Sequence, residues 1–445
     1  MNQVINQARK LVIPSKKLEQ DKTKIAKLAF ELVRKEVTKF SQITGIEFGG
    51  SYVKGTWLPN KADIDIFVKF EKSTSDKKFV EISKKIGFAA MKKYKPYVRY
   101  SEHPYVEATV RDTKVNVVPC YDVKKGEWQS AADRSPFHTK FMLESLTGAM
   151  KDEVRLLKSF LTNNKIYGSE IAKQGISGYV TEVLILNYGS FHDVINAIAK
   201  LKKNQVIGKP TKSFDTSIII IDPIDSNRNL GAAISNENVG KFIIASRAFQ
   251  RKPSISFFKS NLKTKVFKNN LENTIAVEFN YKPRSPDIIW GQIKRAASSL
   301  VVQMELEGFR VFRHAGAIDE KNQACLLFLL QALKIEENFI REGPDVFFEA
   351  ESATYITKNS KNNMLWIGTN RKILSIQKHR QNDIKLFLKD LLKNHLNKSG
   401  IPKGLKEDIK KKFRIIPAKN VTGKCIKEAV SELVSTDATI LSFNK

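Results

Sequence analysis

Cysteine is scarce in these 445 residues: Cys120, Cys325 and Cys425 lie far apart and form no C-x-x-C pair. That spacing excludes a disulfide framework and a cysteine zinc site, and fits a reducing, cytoplasmic compartment. Long hydrophobic runs are missing too. The longest, such as residues 325–330 and 218–221, fall well short of the roughly 20 residues that cross a bilayer. The first ten residues carry no apolar segment of the signal-peptide kind, so no membrane partner is expected. Fixed-period repeats and low-complexity tracts are absent, which excludes solenoids and coiled-coil rods. Acidic residues are outnumbered, 46 against 76 Lys plus Arg, and the formal charge of +30 makes a field that attracts polyanions, nucleic acid first among them. With 42% hydrophobic residues the chain has material for real cores, and about 150 residues per domain suggests two to four domains.

Apolar residues at Ile25, Leu28, Ala29, Leu32, Val33 and Val37 recur at helical spacing and predict an amphipathic helix over 18–40. After Gly45 the period changes, and Asp63-Ile64-Asp65-Ile66-Phe67-Val68 alternates as a strand does. A helix over 79–94 and a hairpin of 105–110 with 115–119 complete an α+β unit with a short sheet. Helical patterns at 152–163 and 177–188 introduce a second, helical unit. Residues 258–282 read as a loop or linker before a long helix beginning near Asp287. The expected fold class is α+β, in three parts: a head at 1–142, a helical central domain at 143–255, and a basic α+β region at 256–445. Between Lys378 and Arg414 twelve Lys or Arg face four acids, a solvated helix face taken alone, but with the charge of the whole chain a candidate phosphate-contacting surface.

The informative stretch is Gly50-Ser51-Tyr52-Val53-Lys54-Gly55-Thr56 followed by Asp63-Ile64-Asp65. Residues i and i+2 on a strand share a face about 6.6 Å apart, so Asp63 and Asp65 project together while Ile64 and Ile66 face the core. Paired carboxylates repel unless a cation sits between them, and a hard ion such as magnesium suits carboxylates, water and phosphates. The Gly50-Ser51 turn offers backbone N–H groups and a hydroxyl to a nucleotide's phosphates, and Lys54 adds a positive charge. A D-x-D alone is common by chance; joined to this turn at this spacing it points to a metal-bridged triphosphate.

On these residues the chain resembles the nucleotidyltransferase superfamily that includes DNA polymerase beta, and within it the archaeal-type, class I CCA-adding enzymes. Further segments carry the resemblance: residues 102–106, 117–121, 133–138, 153–158, 166–168, 177–179 and 222–229. It implies an enzyme that adds C, C and A to the 3′ end of tRNA from CTP and ATP, without a nucleic-acid template. It also implies a head, a helical domain completing the nucleotide pocket, and a basic region gripping the acceptor and TΨC arms of tRNA by shape; a homodimer is admitted. By resemblance, Asp63 and Asp65 match metal-binding catalytic carboxylates in a two-metal (Mg2+) mechanism. Gly50, Ser51, Lys54, His138, Lys158 and Tyr167 match nucleotide-binding positions, and Arg228 matches the reader of the base edge.

Each position has an ordinary alternative. Lys158 shares a helical face with Lys151 and Arg155 and could be solvated; His138 could cap a loop; Tyr167 could pack a helix end before Gly168; Arg228 could pair with Asp222 or Asp225. One departure stands out, for the family's third carboxylate position is Asn116 here. An amide oxygen ligates a metal but brings no charge and accepts no proton near neutrality. Three explanations remain open: a natural variant with compensation, a substitution made to trap a complex, or a chain that binds tRNA without extending it. A hairpin turning at Asp112-Thr113 would set Thr109 opposite Asn116 and Glu107 diagonal to it, making Glu107 a candidate substitute ligand. A poly(A) polymerase-like transferase and a plain basic RNA-binding protein are the alternatives to CCA addition.

Overall fold

The computed structural model describes residues 1–99, 104–259, 266–319 and 321–443; Glu102 and His103 of the 102–106 segment lie outside the described residues. The chain forms two compact units, Met1–Lys263 with Asp437–Lys445, and Thr264–Thr436.

The first unit starts with α1 (Asn2–Val12) and α2 (Lys16–Val37), the latter capped by the Ser15 hydroxyl, which accepts from the Leu18 N–H. Helix α2 buries Ile25, Ala26, Ala29, Val33 and Val37, whereas Leu28, which spacing assigns to the inner face, is exposed. Strand β1 (Ile43–Gly49) leads into a one-turn helix α3 (Gly50–Lys54) and then β2 (Ile64–Glu71). Helix α4 (Asp76–Ala90), β3 (Tyr97–Arg99), β4 (Tyr105–Val110) and β5 (Thr113–Asp122) complete a mixed sheet of order β1-β2-β5-β4-β3. Strand β2 runs antiparallel to β1 and parallel to β5. Its Ile64, Ile66, Val68 and Phe70 are buried in one core with residues of α2 and α4, which leaves Asp65 on the other face.

The hairpin turns one residue earlier than the pattern suggests. Val110 pairs with Thr113, so Arg111 and Asp112 form a two-residue turn with Arg111 at φ 58°, and Glu107, not Thr109, lies opposite Asn116. The alternation of apolar residues fits either turn, and a shift of the turn by one residue moves every pair by two.

Helices α5 (Arg134–Ser145), α6 (Gly148–Asn163), α7 (Gly178–Tyr188), α8 (Phe191–Ala199) and α9 (Asn236–Arg251) follow, with a small sheet of β6 (Val206–Ile207), β7 (Ile219–Asp222) and β8 (Asp225–Asn229). Thr147, Ser177, Ser190 and Ser235 cap four of these helices through their hydroxyls. A second core gathers Phe160, Phe191, Phe249, Phe257 and Phe258.

The second unit opens with α10 (Lys268–Glu272) and β9 (Thr274–Asn280), so the loop expected over 258–282 contains a strand. Strand β9 is interior to the sheet β10-β11-β9-β15 and buried along nearly its whole length, and it therefore lacks the polar alternation that marks a half-exposed strand. Its charged member, Glu278, is 3% exposed and accepts from Arg414 Nη2 at 2.6 Å. Helix α11 (Pro286–Glu307) begins where expected, capped by Ser285. Strands β10 (Val311–Ile318) and β11 (Gln323–Leu330) precede a three-stranded sheet of β12 (Asn338–Asp345), β13 (Leu365–Ile367) and β14 (Lys372–Lys378), with α12 (Glu349–Asn359) between the first two. The basic run falls on α13 (Ile384–Asn394), α14 (Lys403–Lys411) and β15 (Phe413–Pro417). These helices bury Ile384, Leu388, Leu391, Leu405 and Ile409 and leave Lys385, Lys389, Lys393, Lys403 and Lys410 exposed. Helix α15 (Lys424–Leu433) ends this unit, and α16 (Ala438–Phe443) belongs to the first. No helix among the described residues is long and apolar enough to cross a membrane.

Candidate active site

The parallel register of β2 and β5 sets Asp65 beside Asn116, whose Nδ2 donates to Asp65 Oδ1 at 2.8 Å. The Asn116 Oδ1 is buried and has no hydrogen-bond partner. Burial pushes the Asp65 carboxyl up to about 6, against the Asn116 hydrogen bond, and neighbouring Asp63 pushes the same way. Desolvation also raises Asp63, opposed mainly by Lys114. Among the described residues no three of His, Cys, Asp and Glu converge, and the oxygen beside the two carboxylates is the amide Oδ1 of Asn116. Two carboxylates held above their ordinary range and an orphaned amide oxygen make an all-oxygen donor set that fits a hard divalent cation.

Glu107 sits directly across the ladder from Asn116 and is 4% exposed, but its carboxylate is engaged by the Tyr97 hydroxyl, by Arg99 Nε at 3.3 Å and by Lys114 Nζ at 3.5 Å. Those partners account for its burial without a ligand's role.

Gly50 joins this platform to the cations. Its φ is +67°, and a Cβ there would lie 1.9 Å from Asp65 Oδ2, so only glycine lets the turn close over the carboxylate. From that turn α3 carries half-buried Ser51 and ends at Lys54. Lys54 Nζ donates to Glu182 Oε2 at 2.5 Å, and the Thr56 hydroxyl donates to Glu182 Oε1 at 2.6 Å. Lys158 is 3% exposed rather than solvated, because the inward face of α6 carries it. Its Nζ donates to the Thr56 carbonyl at 2.9 Å and lies 3.7 Å from Glu182 Oε1. Burial lowers the Lys158 ammonium to about 8, although Glu182 opposes the shift. Tyr167 is half-buried under the Lys61 ammonium, 5.9 Å from its ring centroid. A Cβ at Gly178 would lie 2.9 Å from the Tyr167 hydroxyl and 3.6 Å from Lys158 Nζ, which places both residues at the start of α7.

A third cluster centres on Asp222, which is fully buried. It accepts from Arg228 Nη1 at 3.1 Å, the Tyr179 hydroxyl at 3.0 Å and the Ile224 N–H at 3.1 Å, and His138 Nε2 lies 2.9 Å away. Burial alone would raise Asp222, but His138 and these donors together hold it below the ordinary carboxylate range. Burial lowers His138, so its ring is mainly neutral near pH 7, and donation to Asp222 puts its proton on Nε2. The ring stacks on Tyr179 with centroids 3.8 Å apart, and Lys54 Nζ lies 5.7 Å from the Tyr179 centroid. Arg228 therefore does pair with Asp222, yet its side chain stays 40% exposed and open to a ligand.

The structure thus gathers Asp63, Asp65, Asn116 and Gly50 in one group, Lys54, Lys158 and Tyr167 in a second, and His138 with Arg228 in a third. Tyr179 and Lys54 join the last two. Sequence reasoning missed Glu182, placed Thr56 and Tyr179 in informative segments without a role of their own, and gave Asp222 no role beyond pairing with Arg228. Glu182 had a signal: it is the one charged residue in an otherwise apolar stretch of α7.

Three family models match consecutive parts of the chain: a nucleotidyltransferase domain over 31–145, a tRNA nucleotidyltransferase second domain over 152–259, and a CCA-adding enzyme C-terminal domain over 272–418. The CCA-adding enzyme of Pyrobaculum islandicum is 34% identical over 357 residues, 79% of this chain and 84% of that one. The CCA-adding enzyme of Saccharolobus solfataricus is 34% identical over 379 residues, 84% of this chain and 89% of that one.

Proposed function

The chain belongs to the CCA-adding enzyme family, and from that premise we propose that it completes the 3′ end of tRNA in the cytoplasm with C, C and A from CTP and ATP. The observation that carries the site reading is the row of Asp65 and Asn116, with its unpartnered Oδ1, under the Gly50 turn. In the reaction the terminal 3′-oxygen of tRNA attacks the α-phosphorus of the incoming nucleotide, and the bond to pyrophosphate breaks. Asp63, Asp65 and Asn116 would hold the divalent cations of a two-metal reaction, which we take to be magnesium, a hard ion suited to oxygen donors and phosphates. When bound, such ions would favour the ionised 3′-oxygen and offset charge on the leaving pyrophosphate.

The protein's own groups do the rest. Lys54 and Lys158 bring two positive charges to the triphosphate side, and Ser51 with the Gly50 backbone orients it. His138, neutral and stacked on Tyr179, forms a flat wall, and Tyr167 borders the lysines. Arg228 is fixed by Asp222 at one nitrogen and keeps other donors for a base edge or RNA phosphate. The exposed lysines of α13 and α14 suit the acceptor and TΨC arms, recognised through phosphates and 2′-hydroxyls.

The test incubates the protein, with Asn116→Asp in parallel, with magnesium, labelled CTP and ATP, and tRNA lacking its last three nucleotides. Extension by three residues followed by arrest is expected. A long A tract would indicate a poly(A) polymerase-like transferase. Binding without extension, even in Asn116→Asp, would refute the assignment.

A further inference from the structure

Two lysines converge on a single carboxylate in the interior of the first unit. Glu182 is fully buried, with Lys54 Nζ at 2.5 Å from one oxygen and Lys158 Nζ at 3.7 Å from the other. Thr56 ties the three together: its hydroxyl donates to Glu182 Oε1, and it accepts from Lys158 Nζ at 2.9 Å on its carbonyl and 3.2 Å on its hydroxyl. The participants come from the end of α3 with the residues just after it, from α6 and from α7, three segments distant in sequence. A hydrophobic pillar would join these elements equally well, so a buried carboxylate here calls for a reason of its own.

We propose that Glu182 is a positioning residue for nucleotide binding: its carboxylate holds Lys54 and Lys158 side by side and charged, ready for the triphosphate. The proposal rests on the reading that these two lysines meet the triphosphate. Two ammonium groups in a dry site repel, and one of them would shed its proton if nothing negative lay between them. The triphosphate supplies negative charge only after it arrives, and in its absence Glu182 fills that place. Two lysines against one carboxylate leave the cluster with one net positive charge, so an anion is still attracted. Besides the neutral Thr56 acceptors, the titratable groups facing Lys158 are Lys54 on α3, Glu182 on α7, Arg155 on its own helix and Tyr167 beside Gly178. Of these, only Glu182 favours the charged lysine.

The direct test measures binding of an α,β-methylene ATP analogue, which cannot transfer its nucleotidyl group, to the full chain by calorimetry at about pH 5.5 and pH 7. Glu182→Gln keeps the shape and the acceptor for Thr56 but removes the charge. It should weaken binding about tenfold or more at the higher pH and much less at the lower one, because Lys158, mostly charged at both in the parent, loses its proton between them once Glu182 is neutral. In turnover the loss should fall chiefly on KM. Equal affinity to the parent at both pH values, with only a lower melting temperature, would make Glu182 a structural pillar and overturn the proposal.

Lys158→Met separates the two layers of the argument. If it leaves analogue affinity unchanged, the lysine reading itself has failed; if it weakens affinity while Glu182→Gln does not, only the role of Glu182 has failed. Should Glu182→Gln prove too unstable to purify, the double variant with Lys158→Met removes the repelling pair. It should bind no worse than Lys158→Met alone, and a further tenfold loss would refute the counter-ion role.

Discussion

Replacing Asn116 by aspartate should reverse its effect on stability according to whether a divalent cation is present. In the parent, burial lifts Asp65 from 3.8 to about 6, and at 1.36 kcal/mol per unit its ionisation near neutrality costs the fold about 3 kcal/mol. The sign is that of a raised acid: the cost is absent below the unfolded value, grows as pH rises from about 4 to 6, and is complete above that. Asn116→Asp removes the 2.8 Å donor from Asp65, a hydrogen bond to a charged group contributing about 1.5–3 kcal/mol. In chelator at about pH 7.5, a shift of about 2–4 °C per kcal/mol lowers the melting temperature by about 3–12 °C. Lowering the pH towards 5 should recover much of that loss, since protonated carboxyls neither repel nor resist burial. Adding magnesium should turn the deficit into a gain and tighten metal binding by about tenfold or more, as three carboxylates now share the ion. The assay is thermal unfolding with chelator and with magnesium, alongside Mn2+ titration followed by electron paramagnetic resonance. If the variant melts with the parent in both conditions and binds Mn2+ equally, the amide is not part of the metal platform and the site is misassigned.

Gly50→Ala should abolish nucleotide incorporation and cost at least about 1 kcal/mol of stability, because the left-handed φ and the 1.9 Å approach to Asp65 Oδ2 both resist a side chain; melting and primer-extension gels report the two effects. Stability should also fall on the acid side. His138 is held below 6.5, so below that pH the unfolded chain takes up a proton that the folded ring resists; Asp222, held below 3.8, adds a second loss as pH falls through its lowered value. Replacing His138 by glutamine should flatten the first limb of a melting-temperature profile and leave the second. Arg228→Lys keeps a charge but not the fork, and should raise misincorporation of UTP relative to CTP by about tenfold or more. Unchanged selectivity with a uniformly lower rate would argue against a base-reading role.

Much of the head was legible because its signals are local. Alternation marks β2, and the Gly50-Ser51 turn followed by Asp63 and Asp65 sits within sixteen residues. What escaped was fixed by tertiary partners. The turn at Arg111-Asp112, and with it the pairing of Glu107 with Asn116, depends on which of two equally apolar registers the neighbouring strands accept. Strand β9 looked like a linker because an interior strand has no solvent face to declare it, and Glu278 broke its apolar run with a charge that only Arg414, 136 residues away, explains. Lys158 could not be told from a surface lysine by spacing alone, since the groups that bury it, Thr56 and Glu182, come from distant segments. Leu28 shows the converse: a residue at a suitable spacing is exposed because Ala26 turns inward instead.

The last helix carries a consequence for how the chain is made. Helix α16 packs on α9, where Lys241 Nζ reaches Asp437 Oδ2 at 3.3 Å and the Arg251 guanidinium lies 5.3 Å from the Phe443 ring centroid. The first unit is thus closed by residues the ribosome delivers after the whole of 264–436. During synthesis α9 lacks its partner for that surface until residues 437–443 have emerged, and the inserted unit can fold while the unit that brackets it is still open. Full closure of the first unit then waits for residues 437–443, so a chain that stops short of them, however well its head folds, leaves that surface of α9 bare as a mark of incompleteness.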